Sequence, residues 1–324
     1  MKHALLVCVI AFIGCGGSPV ATSLTPSPQP APVPAPVPTP APAPALPRFI
    51  YTGRVVSTQT GIVIPNATIA LDGVPAVQAD ASGAFSVDAG ADTVHAFIAA
   101  PGYRTRETRL SAGRAVTVDL IATAAPFSSI FYGQLVRNVL EETTPDVVRT
   151  LPASPALYLQ TTGLSSANID HLVAAAREIV PMMTGGRLTL TTVETGTEFK
   201  PARAGWIVTE IINEGESGIC GRATVGAVSG RIWLNIGEPR CALGADAISP
   251  IAFRHEMAHA LGFFHIDVPN SLMHHRGNFG PGLPTDSERY HAAIAYRRQA
   301  GNRDPDNDDP RNAPLRLATP VIVD

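Results

Sequence analysis

Apolar and polar positions change their rhythm several times along the chain. Residues 4–13 form an unbroken apolar run behind Lys2 and His3, too short to span a bilayer as a permanent helix and of signal-peptide proportions. Residues 18–47 carry no helical or strand period, because prolines alternate mostly with Ala and Val. From Phe49 to about Ala122, short runs rich in β-branched residues fall at 49–57, 67–71, 83–87, 93–100 and 115–122. Turn signals separate them, among them Asp72-Gly73, Asp80-Ala81-Ser82-Gly83 and Pro101-Gly102, and the alternation predicts a small all-β sandwich. His95 reads as an ordinary strand residue, and the charged run Arg104 to Arg109 as a solvated strand face.

Beyond Ala124-Ala125-Pro126 the rhythm becomes mixed. Ser128 or Ser129 is placed to cap a helix running to about Glu142, with Ile130, Phe131, Leu135, Val136 and Val139 on its apolar side. A strand follows at 156–160, then an amphipathic helix behind Ser165 and Ser166 that Pro181 and Gly185-Gly186 should end. Strands are predicted at 188–193 and 206–212, with a hairpin of 223–228 and 231–236 around Ser229-Gly230. Thr285 and Glu288 make a capping box for a last helix to about Arg298. This order is that of an α+β domain. Within the hairpin, the strand carrying Ile232, Trp233 and Leu234 is a candidate sheet edge for strand addition by an extended peptide.

Composition places these units. Of the 30 prolines, 12 lie between residues 18 and 47, a stretch that builds no packed core and runs as extended polyproline II, spanning roughly 90 Å at about 3 Å per residue. The formal net charge is −3, only two of the 24 basic residues are lysines, and no basic stripe points to nucleic acid. Cys8 and Cys15 belong to the leader region, leaving Cys220 and Cys241 either to pair after export or to stay as two buried thiols. Pairing would contribute about 3 kcal/mol on the loop-entropy model.

The chemistry concentrates in residues 255–265, His-Glu-Met-Ala-His-Ala-Leu-Gly-Phe-Phe-His. On a helix, His255 and His259 stand about 40° apart in azimuth, so both imidazoles reach one ion, and Glu256 sits beside it at about 100°. Gly262 is the residue type that takes a left-handed turn, after which the chain offers His265 as a third nitrogen. Three neutral imidazoles leave one position of a tetrahedral Zn2+ open, the arrangement of a catalytic site.

The extended motif, with Ser271-Leu272-Met273 eight residues beyond His265, resembles the metzincin zinc peptidases, and the short spacing is most similar to the matrixins. The resemblance implies a twisted sheet with a zinc-binding active-site helix, one catalytic zinc held by His255, His259 and His265, Glu256 as general base, and Met273 as the floor of a methionine turn. Ile266 follows the third histidine, where several metzincin families carry a signature residue, and His275 stands where some have a tyrosine, so the motif names the clan and leaves the family and the roles of His274 and His275 open.

Two further resemblances frame this unit. Gly53, Pro65-Asn66-Ala67, the turn at 80–85 and Ala100-Pro101-Gly102-Tyr103 resemble the carboxypeptidase regulatory-like domain, a transthyretin-like sandwich. Gly14-Cys15 after the apolar run resembles a bacterial lipoprotein signal, with Phe12 where that family usually has Leu; it implies lipidation of Cys15, and Gly16 favours the outer membrane. The ordinary secretory signal is the alternative, giving a secreted or periplasmic protein.

The expected organisation is therefore a signal at 1–14, the anchor cysteine and linker at 15–47, a β-sandwich at 48–122, a metzincin-like domain at 123–300 and a solvated polar tail at 301–324. The expected activity is hydrolysis of peptide bonds in extracytoplasmic polypeptides by a membrane-tethered zinc endopeptidase. The alternative is a surface-anchored binding or adhesion protein with a structural zinc. Asp304, Asp306 and Asp308 have calcium-loop spacing, but Asp309 and Leu315 stand where such a loop needs Gly and Glu, so calcium finds no support. The oligomeric state is not legible.

Overall fold

The computed structural model describes residues 48–276, 280–308 and 321–323. The expected signal, the anchor Cys15, the linker at 15–47 and tail residues 309–320 and 324 lie outside the described residues.

The N-terminal part is built from β1 (Phe49–Ser57), β2 (Thr68–Leu71), β3 (Val77–Gln78), β4 (Ala84–Ala89), β5 (Thr93–Ala99), β6 (Arg106–Ser111) and β7 (Val116–Leu120). They form a three-stranded sheet in the order β4-β1-β7 and a four-stranded sheet in the order β3-β2-β5-β6. Alternate residues of both sheets, among them Tyr51, Val55, Ile69, Phe85, Ile98 and Leu120, turn into one shared apolar cluster. Burying one face of each strand is what the period-two pattern encodes. One expectation fails here. Arg106, in the charged run taken as solvated, is only 8% exposed, because it reaches inward to the carboxylates of Asp119 and Asp308.

The second part begins with α1 (Ser129–Arg137), β8 (Ala156–Gln160), α2 (Ser166–Met183), β9 (Val193–Gly196), β10 (Trp206–Ile212), β11 (Gly221–Thr224) and β12 (Ser229–Asn235). It continues with α3 (Pro250–Ala260), α4 (Asp286–Ala295) and β13 (Ile322–Val323). Six strands form one sheet in the order β13-β11-β12-β10-β8-β9. β8, β9, β10 and β12 run parallel, while β11 is antiparallel to β12 and β13 antiparallel to β11. The helices and sheet enclose a single large cluster that includes Leu157, Leu172, Ile207, Ile232, Leu234, Phe253 and Met257.

Several boundaries move for identifiable reasons. α1 stops at Arg137 because Asn138 adopts a left-handed conformation, φ 54°, and its N–H closes onto the Gly133 carbonyl. Ile130 and Val139, assigned to the apolar side of that helix, are exposed. Pro181 does not end α2 but sits in its last turn, where only one backbone bond is at stake. The strand expected from Leu188 starts at Val193, since the Thr184 hydroxyl takes the Leu188 N–H at 3.1 Å and holds it out of the ladder.

Two larger corrections concern function. β12 is not a sheet edge. It lies between β11 and β10, with Ile232 and Leu234 fully buried and Trp233 paired across to Arg222 and Glu210. The edge strands are β13 and β9, and β13 pairs with β11 only at Ala223 and Thr224. Residues 301–308 are not a solvated tail either. Asn302, Asp306 and Asp308 are buried, with Arg298, Arg106 and Arg137 supplying the donors that compensate these polar groups.

Candidate active site

Ser249 caps α3, its hydroxyl accepting the Ile251 N–H at 3.2 Å, and Pro250 takes the first helical position. The helix is buried nearly all round, so its two histidines are inside the protein by construction. After Leu261 the chain needs a sharp reversal. Gly262 makes it at φ 108°, with its α-carbon so close to the Arg149 carbonyl that a Cβ would lie 2.5 Å from that oxygen. His265 then returns to face His255 and His259.

The three Nε2 atoms lie 3.0 Å (His255 to His259), 3.2 Å (His259 to His265) and 3.2 Å (His255 to His265) apart. Each Nδ1 points the other way, to the Leu272 carbonyl at 2.7 Å, the Phe263 carbonyl at 2.7 Å and the Glu141 carboxylate at 2.6 Å respectively. An oxygen acceptor fixes the proton on Nδ1, so the neutral rings turn three lone pairs toward one point. Burial keeps the two helix rings neutral: it pushes His255 down to about 3, with His265 adding to the effect, and takes His259 well below its ordinary value. Three converging lone pairs repel one another without a cation between them. Tetrahedral zinc at about 2.0–2.1 Å from each nitrogen sets their spacing near about 3.4 Å, so the donor set fits that ion with little adjustment.

Glu256 is buried beside this trio, and Gly221 of β11 packs directly on it. Met273 is wholly buried. Its N–H donates to Glu288 at 2.8 Å and its carbonyl accepts from Ile266 at 2.9 Å. Together with the Leu272 carbonyl under His255, this segment touches both the helix and the ligand loop. Glu288 does double duty, because its other oxygen completes the capping box with Thr285.

His255, Glu256 and His265 open into a cleft of about 710 Å³ that Ile219, Cys220 and Cys241 also line. Cys220 and Cys241 form a disulfide that ties the start of β11 to the turn following β12. Ile232, Trp233 and Leu234, the candidates for substrate contact, do not line the cleft; residues 218–221 do.

A second cluster is formed by Asp267, His274 and His275, of which the two histidines line the same cleft. Its hydrogen bonds do not suit a metal. The Arg276 N–H donates to His274 Nδ1 at 3.2 Å and the Arg276 Nε–H to His275 Nε2 at 3.0 Å. With those two nitrogens accepting, His275 Nδ1 turns to the Ile266 carbonyl at 3.4 Å, and His274 Nε2 and His275 Nδ1 stand 4.0 and 3.7 Å from Asp267, so the cluster does not present converging lone pairs.

Sequence reasoning missed Glu141 and Gln134, which act on the ligand loop from α1 and the turn after it, and Gly221 behind Glu256. Only for Gly221 was there a signal, a glycine beginning a strand, which marks a close backbone approach.

No protein-family model matches the chain, and no curated protein matches it. Among solved structures, metalloproteinase-II from Bacteroides fragilis is 10% identical, with a TM-score of 0.32 over 76% of this chain and 86% of its own. A hatching enzyme zinc-protease from Oryzias latipes, the medaka fish, is 13% identical, with a TM-score of 0.27 over 47% of this chain and 96% of its own. A streptococcal ancillary pilin is 17% identical at a TM-score of 0.21, and the chain spans about 30% of its length. One of these weak neighbours is named a metalloproteinase and another a zinc-protease; the functional reading rests on the geometry of the site.

Proposed function

We propose that the chain is a zinc-dependent endopeptidase of metzincin type that hydrolyses peptide bonds of extracytoplasmic proteins. The observation that carries this reading is the convergence of the three Nε2 lone pairs beside Glu256 in an open cleft. Zinc bound there supplies Lewis-acid chemistry, lowering the pKa of water toward 7 and polarising a carbonyl. Glu256 accepts the proton of the attacking water at its carboxylate and delivers it to the leaving amine. His255, His259 and His265 hold the ion, and Met273 forms the floor of the methionine turn. An extended substrate backbone lies along residues 218–221, which line the cleft where β11 begins. Ahead of this domain stand a carboxypeptidase regulatory-like β module, a proline-rich stalk and a lipidated Cys15 that tether the enzyme to a bacterial membrane.

The test is to incubate the protein lacking its first 15 residues with a peptide library, with and without chelator, alongside Glu256→Ala. Cleavage abolished by both treatments is expected, and cleavage surviving both overturns the mechanism. Tight zinc binding without cleavage of any peptide would instead make the chain a surface-anchored binding protein with a structural zinc.

A further inference from the structure

The three metal-facing histidines are not supported alike. His255 and His259 lean on backbone carbonyls, which the fold supplies whatever the side chains are. His265 leans on a side-chain carboxylate, Glu141, brought from 124 residues earlier in the chain.

Glu141 does not reach His265 by accident of a mobile loop. α1 ends at Asn138, and the turn after it is closed by the Glu141 N–H and Glu142 N–H, both on the Asn138 carbonyl, at 3.3 and 2.9 Å. The same end of α1 grips the ligand loop on either side of His265. The Phe264 N–H donates to the Leu135 carbonyl at 2.8 Å, and the Asp267 N–H to Gln134 Oε1 at 3.1 Å. With the 2.6 Å bond from His265 Nδ1 to Glu141 Oε1, three attachments, at residues 264, 265 and 267, fix this loop against one helix end.

We propose that Glu141 is the positioning residue of the third zinc ligand: it sets the ring orientation and tautomer of His265 and strengthens its Nε2 as a donor. A carboxylate on Nδ1–H pulls the proton from the ring and leaves more electron density on the opposite nitrogen, which a neutral carbonyl does less well. The loop holding His265 also lies beyond the end of α3, so this ligand has less helical backbone behind it than the other two. The inference rests on the zinc reading of the histidine trio and adds a residue that no part of the motif contains.

The experiment measures zinc affinity by competition with a chromogenic chelator, together with the visible spectrum of the cobalt-loaded protein, in Glu141→Gln, Glu141→Ala, Glu142→Gln and wild type. Glu141 is partly exposed, so the variants are expected to fold, which the thermal transition of the metal-free proteins verifies. Glu141→Ala should bind zinc about 10–100-fold more weakly. Glu141→Gln, which keeps an oxygen acceptor but loses the charge, should fall between Glu141→Ala and wild type and shift the cobalt bands. Glu142→Gln should match wild type. A folded Glu141→Ala protein with wild-type zinc affinity and an unshifted cobalt spectrum overturns the proposal while leaving the metal site standing. A wild-type chain that binds no zinc overturns the metal reading and this inference with it.

Discussion

Arg298, just past α4, donates to both carboxylate oxygens of Asp119 in β7, at 3.2 and 3.1 Å, across 179 residues of sequence. The same guanidinium reaches Asp306 at 2.7 and 2.9 Å and the Thr58 hydroxyl at 3.0 Å. Arg106 joins Asp119 to Asp308. The β part and the helical part of the protein are thus clamped by a buried network of two arginines and three aspartates.

Removing one partner of such a network strands a buried charge, which typically costs about 3–5 kcal/mol. In Asp119→Ala, Arg298 keeps Asp306 and Arg106 keeps Asp308, so a loss near the lower bound, about 3 kcal/mol, is expected in urea unfolding.

Protonation tests the same clamp. Burial works to raise the Asp119 pKa, but Arg298 and Arg106 outweigh it, and the carboxyl lies below the usual carboxylate range. Its contribution is therefore fully present above the unfolded value, about 3.9, and lost as pH falls through the lower folded value. Thermal melts at pH 6, 4 and 3 should show the gap between wild type and Asp119→Asn narrowing only at the acid end.

Gly221 leaves room for the proposed general base. A Cβ there would sit 2.8 Å from Glu256 Cγ and 2.9 Å from its Cδ, with the Trp233 carbonyl at 2.8 Å blocking retreat. Gly221→Ala should displace the carboxylate and lower kcat roughly 100-fold while zinc affinity stays near wild type, as stopped assays and chelator competition would show.

The disulfide lines the cleft next to Gly221. Opening Cys220–Cys241, which closes a loop of 21 residues separation, should cost about 3 kcal/mol of stability. Because residues 218–221 loosen with it, KM for peptides should rise more than kcat falls, measured in Cys220→Ala/Cys241→Ala against wild type.

Gly262→Ala combines two penalties, a φ of 108° and a Cβ 2.5 Å from the Arg149 oxygen. The turn cannot form unchanged, so His265 should lose its place and zinc affinity should fall even where the rest of the protein still melts cooperatively.

What could be read from the sequence was local. The i, i+4 histidines, the Ser128 and Thr285 caps and the strand at 156–160 each depend on neighbours within a few residues. What escaped was contributed from a distance. Nothing near His265 announces Glu141, and nothing near Arg106 announces Asp308, 202 residues on. β12 misled for the same reason, since its alternation is that of any strand and its interior place depends on β10 and β11 flanking it. The polar tail misled because buried aspartates look like solvated ones until their arginines are seen.

Val323 and Ile322 of β13 cover Ala223 and Thr224, while residues 218–221 line the cleft beside Glu256. On the proposed reading, β13 works as a buffer stop. An extended substrate laid along Gly221 meets Val323 at Ala223, so backbone geometry contributes to its register against the carboxylate before any side-chain pocket discriminates.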